Sequence, residues 1–198
     1  MAQVRFMLDA IKQLREETGA PIGEIRKALE MSQGDTAKAK SMLRQHGGAV
    51  LEKRSDRQLK EGVVEAYLHS NYKIGALLEL YSETDFVSRN PAFRELAHNL
   101  AMQVAAMNPV YVSLEDVPEE IKSSLMVEFS SDPSLVGKPE NIRNEIISGK
   151  VSKVLKEQSL LEQFYVKDQA KSVGDVIKEA VAKFGENIRV GKFIRYQL

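Results

Sequence analysis

The stretch Tyr81–Pro91, YSETDFVSRNP, stands where one periodicity gives way to another. Before it, Lys73–Leu80, KIGALLEL, is short and apolar in the manner of a buried strand. After it, SRNPAFRELAHNLAMQV places Phe93, Leu96, Leu100, Val104 and Met107 on one face of a helix. Asn90 and Pro91 supply an N-cap and a first-turn residue for that helix, and Asn108-Pro109 ends it. At the crossing, an acid and a large aromatic, Asp85 and Phe86, are neighbours. Local features alone read them as a turn acid and a core aromatic beneath the helix, because buried aromatics are far commoner than exposed anchors.

Outward from the crossing, GVVEAYLH (62–69) and IGALLELY (74–81) flank SNYK, whose Ser70-Asn71 pair favours a turn, so the two runs read as a β-hairpin. Their near-continuous apolarity predicts cover on both faces. VYVS (110–113) is a short strand candidate. PEEIKSSLMVEF and KPENIRNEIISGKVSKVLKEQSLL, split by SSDPSLVG, read as a helical hairpin over approximately residues 118–157. Ser172 and Asp175 form a capping box opening the helix VGDVIKEAVAKF. The closing NIRVGKFIRYQL alternates, with Ile188, Val190, Ile194 and Tyr196 expected on one face of a strand that returns to the sheet. Residues 62–198 are therefore expected to form an α+β core domain, an antiparallel sheet with packed helices and a helical hairpin.

Upstream, Val4, Met7, Leu8, Ile11 and Leu14 follow helical spacing until TGAP, Thr18–Pro21, where a glycine stops one helix and a proline restarts another. Ile22, Ile25, Ala28 and Leu29 mark the second helix; Asp35 caps a third that Gly47-Gly48 stops. So short a segment buries little, and residues 1–47 read as a three-helix docking domain, followed by a mixed-charge linker over 48–61.

Composition narrows the function. The 198 residues are 43% hydrophobic, enough for a packed core, and contain no cysteine, which removes disulfides, thiol catalysis and cysteine-held metals and fits a reducing cytoplasm. The N-terminal run is charged throughout and resembles neither a signal peptide nor a membrane span. Basic and acidic residues balance at 28 each, so no global field favours nucleic acid, and the basic run Lys150–Lys156 reads as the wet face of a helix. Lys38, Lys40 and Arg44 would suit a DNA recognition helix, but Asp35 leads it and the domain is not strongly basic.

Catalytic signatures are missing. Each Gly-Lys pair, at 137–138, 149–150 and 191–192, is followed by Pro, Val or Phe, so no P-loop is present. No serine stands in a GxSxG elbow, and His46, His69 and His98 have no metal-ligand spacing. Glu16-Glu17 and Glu119-Glu120 fall at helix ends, where they complement the helix dipole or are simply solvated. The residues point to no enzyme, cofactor or metal; a binding protein remains.

Three stretches carry a resemblance: LREETGAPIGEIRKALEMSQGDTAKAKSMLRQHG, ETDFVSRNPAF and GENIRVGKFIRYQL, at the beginning, middle and end, resemble the bacterial elongation factor Ts family in its short form with a single core subdomain. The resemblance implies a guanine nucleotide exchange factor that binds elongation factor Tu–GDP and promotes GDP release during translation elongation. It also implies that the N-terminal domain is ubiquitin-associated-like. Thr84, Asp85, Phe86 and Val87 would then meet the partner's nucleotide and magnesium region, and Arg15 and Ile22 would serve the N-terminal interface. Neither nucleotide nor nucleic acid would be bound directly. The chain departs from the family pattern at Tyr81-Ser82, where an asparagine and a cysteine are common, at Glu17, where a basic residue is usual, and at Gly23, where a methionine is. The departures at Glu17 and Gly23 motivate a second reading, a protein-binding module of the same fold that has lost exchange.

Overall fold

A computed structural model describes residues 2–43 and 59–198, the side chains of residues 2–6 excepted. Three helices open the chain: α1 (Ala2–Thr18), α2 (Ile22–Met31) and α3 (residues 36–43, to the limit of the description). Gly19, at φ +67°, ends α1 by donating its N–H to the Arg15 carbonyl, and a glycine is needed because this left-handed backbone strains other residues. Asp35 Oδ1 caps α3 by accepting the Lys38 N–H at 3.0 Å. Leu14, Ile25, Leu29, Ala39 and Leu43 interlock in a small core, and Glu17 joins α1 to α3 through Lys40 Nζ at 2.7 Å. The expected Gly47-Gly48 stop and most of the expected linker lie outside the described residues.

The main sheet has three antiparallel strands in the order β1 (Glu61–Leu68), β2 (Ile74–Ser82), β5 (Arg189–Gln197). The hairpin turn closes with the His69 N–H meeting the Ile74 carbonyl and the Tyr72 N–H meeting the His69 carbonyl, so Ser70 and Asn71 are central as expected. Helix α5 (Pro91–Met107) lies across one face of this sheet, burying Phe93, Leu96, Leu100 and Val104 against Ala76, Leu78 and Leu80. Met107, expected in the same row, is exposed at the helix end.

Two sequence expectations about the sheet fail. The hairpin is not covered on both faces: Val64, Leu68, Leu77, Ile194 and Tyr196 are exposed opposite α5, so the apolar run reflects strand propensity as well as burial. Nor do Ile188, Val190, Ile194 and Tyr196 share a face. Pairing passes from Leu78↔Phe193 to Leu80↔Val190, leaving Gly191 and Lys192 opposite the single residue Glu79. The extra residue is a β-bulge and reverses the alternation, turning Val190 and Phe193 inward and Ile194 and Tyr196 outward. Glu79 Oε2 fastens the bulge by accepting the Lys192 N–H at 3.0 Å and the Tyr81 hydroxyl at 3.1 Å. A Cβ at Gly191 would collide with the Tyr81 ring and the Glu79 carboxylate. Gly191→Val should therefore cost about 1–3 kcal/mol, as overpacking does, measured by urea unfolding; unchanged stability would show that the bulge is free to move.

Beyond α5, VYVS is not a strand. Tyr111 forms an isolated parallel bridge to Ser159, because its neighbour there is the turn that follows the helix ending at Gln158 and not an extended segment. Helices α6 (Glu119–Ser130) and α7 (Glu140–Gln158) pair as the expected helical hairpin around Val117, Val151, Leu155, Leu125, Phe129 and Ile147. Lys150 pairs with Asp132 in the loop and lies over the Phe129 ring. The Lys150 hydrogen bond, aided by Ser134, holds the Asp132 carboxyl well below its ordinary value. A lowered pKa in the folded state means that this tie is complete above the ordinary carboxylate range and is lost as pH falls through the lowered value. At neutral pH, Lys150→Met should speed amide hydrogen exchange in residues 131–137 with little change elsewhere. Equal protection in parent and variant would show the pair to be inert, as many exposed pairs are.

A short hairpin that the sequence analysis did not find, β3 (Phe164–Tyr165) with β4 (Asp168–Ser172), follows. Gln103, fully buried on α5, fastens it: Nε2 donates to the Phe164 carbonyl at 3.1 Å and Oε1 accepts the Val166 N–H at 2.8 Å. Helix α8 (Val173–Phe184) then begins at the expected Ser172–Asp175 capping box and buries Val173, Ile177 and Val181. It ends at Gly185, φ +71°, from which the chain enters β5.

Candidate functional site

The crossing at Tyr81–Pro91 is a pinned turn. Ser82, the last residue of β2, is buried and donates its hydroxyl to the Thr84 carbonyl at 3.1 Å. Glu83 Oε1 accepts the Asn187 N–H at 2.8 Å. Thr84 is extended at φ −126°, ψ 159°; its N–H donates to Glu186 Oε2 at 3.0 Å and its hydroxyl to Glu186 Oε1 at 2.6 Å. A four-residue helix, α4 (Asp85–Ser88), follows directly, and Asn90 caps α5 by accepting the Ala92 N–H at 2.9 Å. Strand, turn and two helices are thus joined within ten residues.

Successive residues of a helix point about 100° apart, so one turn aims its side chains in different directions. Val87 is 7% exposed and belongs to the core cluster that holds Phe93 and Leu80. Phe86, one residue earlier, is 85% exposed, the most exposed aromatic among the described residues. The local reading of Phe86 as a core aromatic is overturned, because Val87 and Phe93, with Phe184 edge-on to Phe93 at 6.1 Å, already occupy the core beneath the turn. Asp85 stands at the rim, its carboxylate 3.3 Å from Arg89. Leaving a phenylalanine in water forgoes about 2 kcal/mol of burial, so the turn presents an apolar ring at a cost to the isolated protein.

The four residues expected as contacts divide into different roles. Phe86 faces solvent; Asp85 and Thr84 are half-buried, Asp85 beside Arg89 and Thr84 bonded through Glu186; Val87 is inside and unable to touch a partner while the turn stays folded. Arg15 and Ile22 are exposed on either side of the Gly19–Pro21 turn and share no hydrogen bond or ion pair with residues 84–87. That turn lies against α8: a Cβ on Gly19 would come within 2.8 Å of Lys183 Cγ. Glu186 and Glu83, which the sequence analysis did not single out, bridge 102 and 104 positions to reach their partners.

Other clusters offer no convergent chemistry. His69 meets the Tyr67 hydroxyl at 3.1 Å, and His98 meets Glu65 at 3.0 Å, each at the surface. Among the described residues, no group of three His, Asp or Glu side chains is arranged to hold a metal ion, and no helix is long and apolar enough to cross a membrane.

Comparison with known proteins places the whole of this arrangement within one family match. The family described as elongation factor TS matches residues 6–198. The elongation factor Ts of Thermotoga maritima is 49% identical over 195 residues, covering 98% of this chain and 97% of that protein. That of Rubrobacter xylanophilus is 42% identical over 191 residues, covering 96% of this chain and 98% of the relative. That of Gloeothece citriformis is longer: 44% identity extends over the whole of this chain but 69% of the relative. With matches of this extent, the chain belongs to the elongation factor Ts family.

Proposed function

We propose that this protein is a guanine nucleotide exchange factor for elongation factor Tu, working in the cytoplasm by differential binding and without covalent catalysis. The observation that carries the reading is Phe86, held in solvent on a turn whose backbone is tied down on both sides. A rigid exposed aromatic anchors an interface because it buries a large area at little entropic cost. Phe86 enters the partner beside its bound nucleotide, and Asp85 perturbs the ligands and water around the magnesium that holds the phosphates. Thr84 and Val87 set the turn. Residues 1–47 form the ubiquitin-associated-like docking domain, with Arg15 and Ile22 at its contact surface, and residues 62–198 form the core domain. No nucleotide is bound directly.

Exchange follows from linkage. A factor that binds the nucleotide-free partner more tightly than the GDP-bound one is displaced by nucleotide in the same ratio as it displaces nucleotide. The departures at Glu17 and Gly23 leave the turn at 84–87 untouched. Glu17 is engaged with Lys40 and Gln13, and the space about Gly23 is open, so a side chain there would be accommodated. Calorimetric titration into elongation factor Tu, nucleotide-free and GDP-loaded, tests the reading: the nucleotide-free form should bind at least tenfold tighter, a coupling of about 1.4 kcal/mol or more. Equal affinities would favour a binding module without exchange, and no complex at micromolar concentrations would exclude both.

A further inference from the structure

The short helix that carries Phe86 closes on few hydrogen bonds of its own, among them Ser88 N–H to the Thr84 carbonyl at 3.3 Å and Arg89 N–H to the Asp85 carbonyl at 2.9 Å. Four residues are too few for a stable helix, because the nucleating turn costs more than one hydrogen bond returns. Thr84 occupies the N-cap position, where a threonine hydroxyl usually accepts an N–H of the first turn, yet its side chain makes no such cap. That hydroxyl instead donates to Glu186, at 2.6 Å. The arrangement is reciprocal: Glu186 accepts the Thr84 N–H, and Glu83 accepts the N–H of Asn187, the residue after Glu186. Two carboxylates therefore clamp the start of α4 to the corner between α8 and β5. Val87 and Ser88 are buried on the inner side of the turn and Ser82 holds the Thr84 carbonyl, so the clamp acts on the remaining groups of its N-terminal end, the Thr84 N–H and hydroxyl, and there sets the direction of Phe86.

From this geometry we infer that Glu186 is a positioning residue for Phe86: acting through the Thr84 N–H and hydroxyl, it holds the exposed ring in the orientation in which it enters a partner. The exchange role of Phe86 rests on the function proposed above; the clamp itself does not. An ordered ring enters a pocket without first losing its conformational freedom, so loosening the clamp reduces productive insertion.

Two readouts test the inference. The chain contains no tryptophan, so Phe86→Trp supplies a single fluorophore at the tip. In the free protein, adding Glu186→Ala should increase the fast component of its time-resolved anisotropy, whereas Glu186→Gln, which can accept from the Thr84 N–H and donate to its hydroxyl, should stay near the parent. In the second readout, Glu186→Ala in the otherwise native chain should reduce acceleration of fluorescent-GDP release from elongation factor Tu about tenfold, equivalent to 1.4 kcal/mol. Glu186→Gln should restore most of the loss, and thermal unfolding should confirm that each variant is folded. Because Glu186 acts through Phe86, Glu186→Ala should cause no further loss in a Phe86→Ala background.

Unchanged anisotropy in the Glu186→Ala variant would overturn the positioning role. So would an equal loss of exchange with and without Phe86, which would mean that Glu186 supports the fold generally. If the native chain fails to accelerate GDP release at all, the exchange reading falls, and the anisotropy readout still decides whether Glu186 orders the ring.

Discussion

Phe86→Ala should leave the thermal midpoint within a few degrees of the parent while reducing acceleration of GDP release from elongation factor Tu by roughly thirtyfold or more, the effect of losing an interface anchor worth about 2 kcal/mol. The two readouts separate because the ring is 85% exposed and holds nothing in place in the free protein. The backbone of the turn is fastened by Ser82, Glu83, Thr84 and Val87, none of which needs the Phe86 side chain. Stopped-flow release of a fluorescent GDP analogue, with a thermal scan of each protein, checks the expectation. A large fall in stability would mean that Phe86 packs in the core in solution, and retained exchange would place the anchor elsewhere.

Phe93→Ala should do the reverse. Phe93 is fully buried, lies edge-on to Phe184 at 6.1 Å and shares a cluster with the sheet residues Leu78 and Leu80. Truncating such a ring removes buried area and leaves a cavity, costing about 3–5 kcal/mol. For a chain of this size the thermal midpoint should fall by about 10 °C. Below the unfolding transition, exchange should be nearly retained, since Phe86 is built on the turn before α5 and not on Phe93 itself. Urea unfolding monitored by circular dichroism gives the stability change. A cost below about 1 kcal/mol would mean that the core closes over the void, which close-packed interiors seldom do.

The contrast between Phe86 and Phe93 shows where the sequence is legible. Phe93 follows an Asn-Pro helix start and falls in register with Leu96, Leu100 and Val104, so its burial could be read from spacing. Phe86 has no such register. It stands in a four-residue helix too short for any period, and spacing favoured the core. Only the resemblance of ETDFVSRNPAF to a family assigned it to a partner. The structure leaves that ring 85% exposed.

Other gaps have the same local origin. The β-bulge opposite Glu79 reverses the alternation of β5, and nothing in NIRVGKFIRYQL announces it except Gly191, whose missing Cβ makes room for Tyr81 and Glu79. VYVS has strand composition but lies beside a turn, so it never acquires a ladder. Gln103 would be taken for a polar residue on a helix surface, yet it is buried because β3 and β4 fold over it and use both ends of its amide. The clamp from Glu186 to Thr84 joins segments 102 residues apart and leaves no trace in either one. Helix limits, caps and the returning strand depend on neighbouring residues and could be read; partners across the fold depend on tertiary closure and could not.

The most direct test of the account is the dissociation rate of a fluorescent GDP analogue from elongation factor Tu, chased with excess unlabelled GDP, with this protein present below stoichiometry. Differential binding predicts that a small amount of the protein speeds release from the entire GTPase pool, because nucleotide displaces it from each complex and returns it to the next. A dissociation rate indifferent to the protein, under conditions where the complex forms, would contradict exchange and leave a binding module in its place.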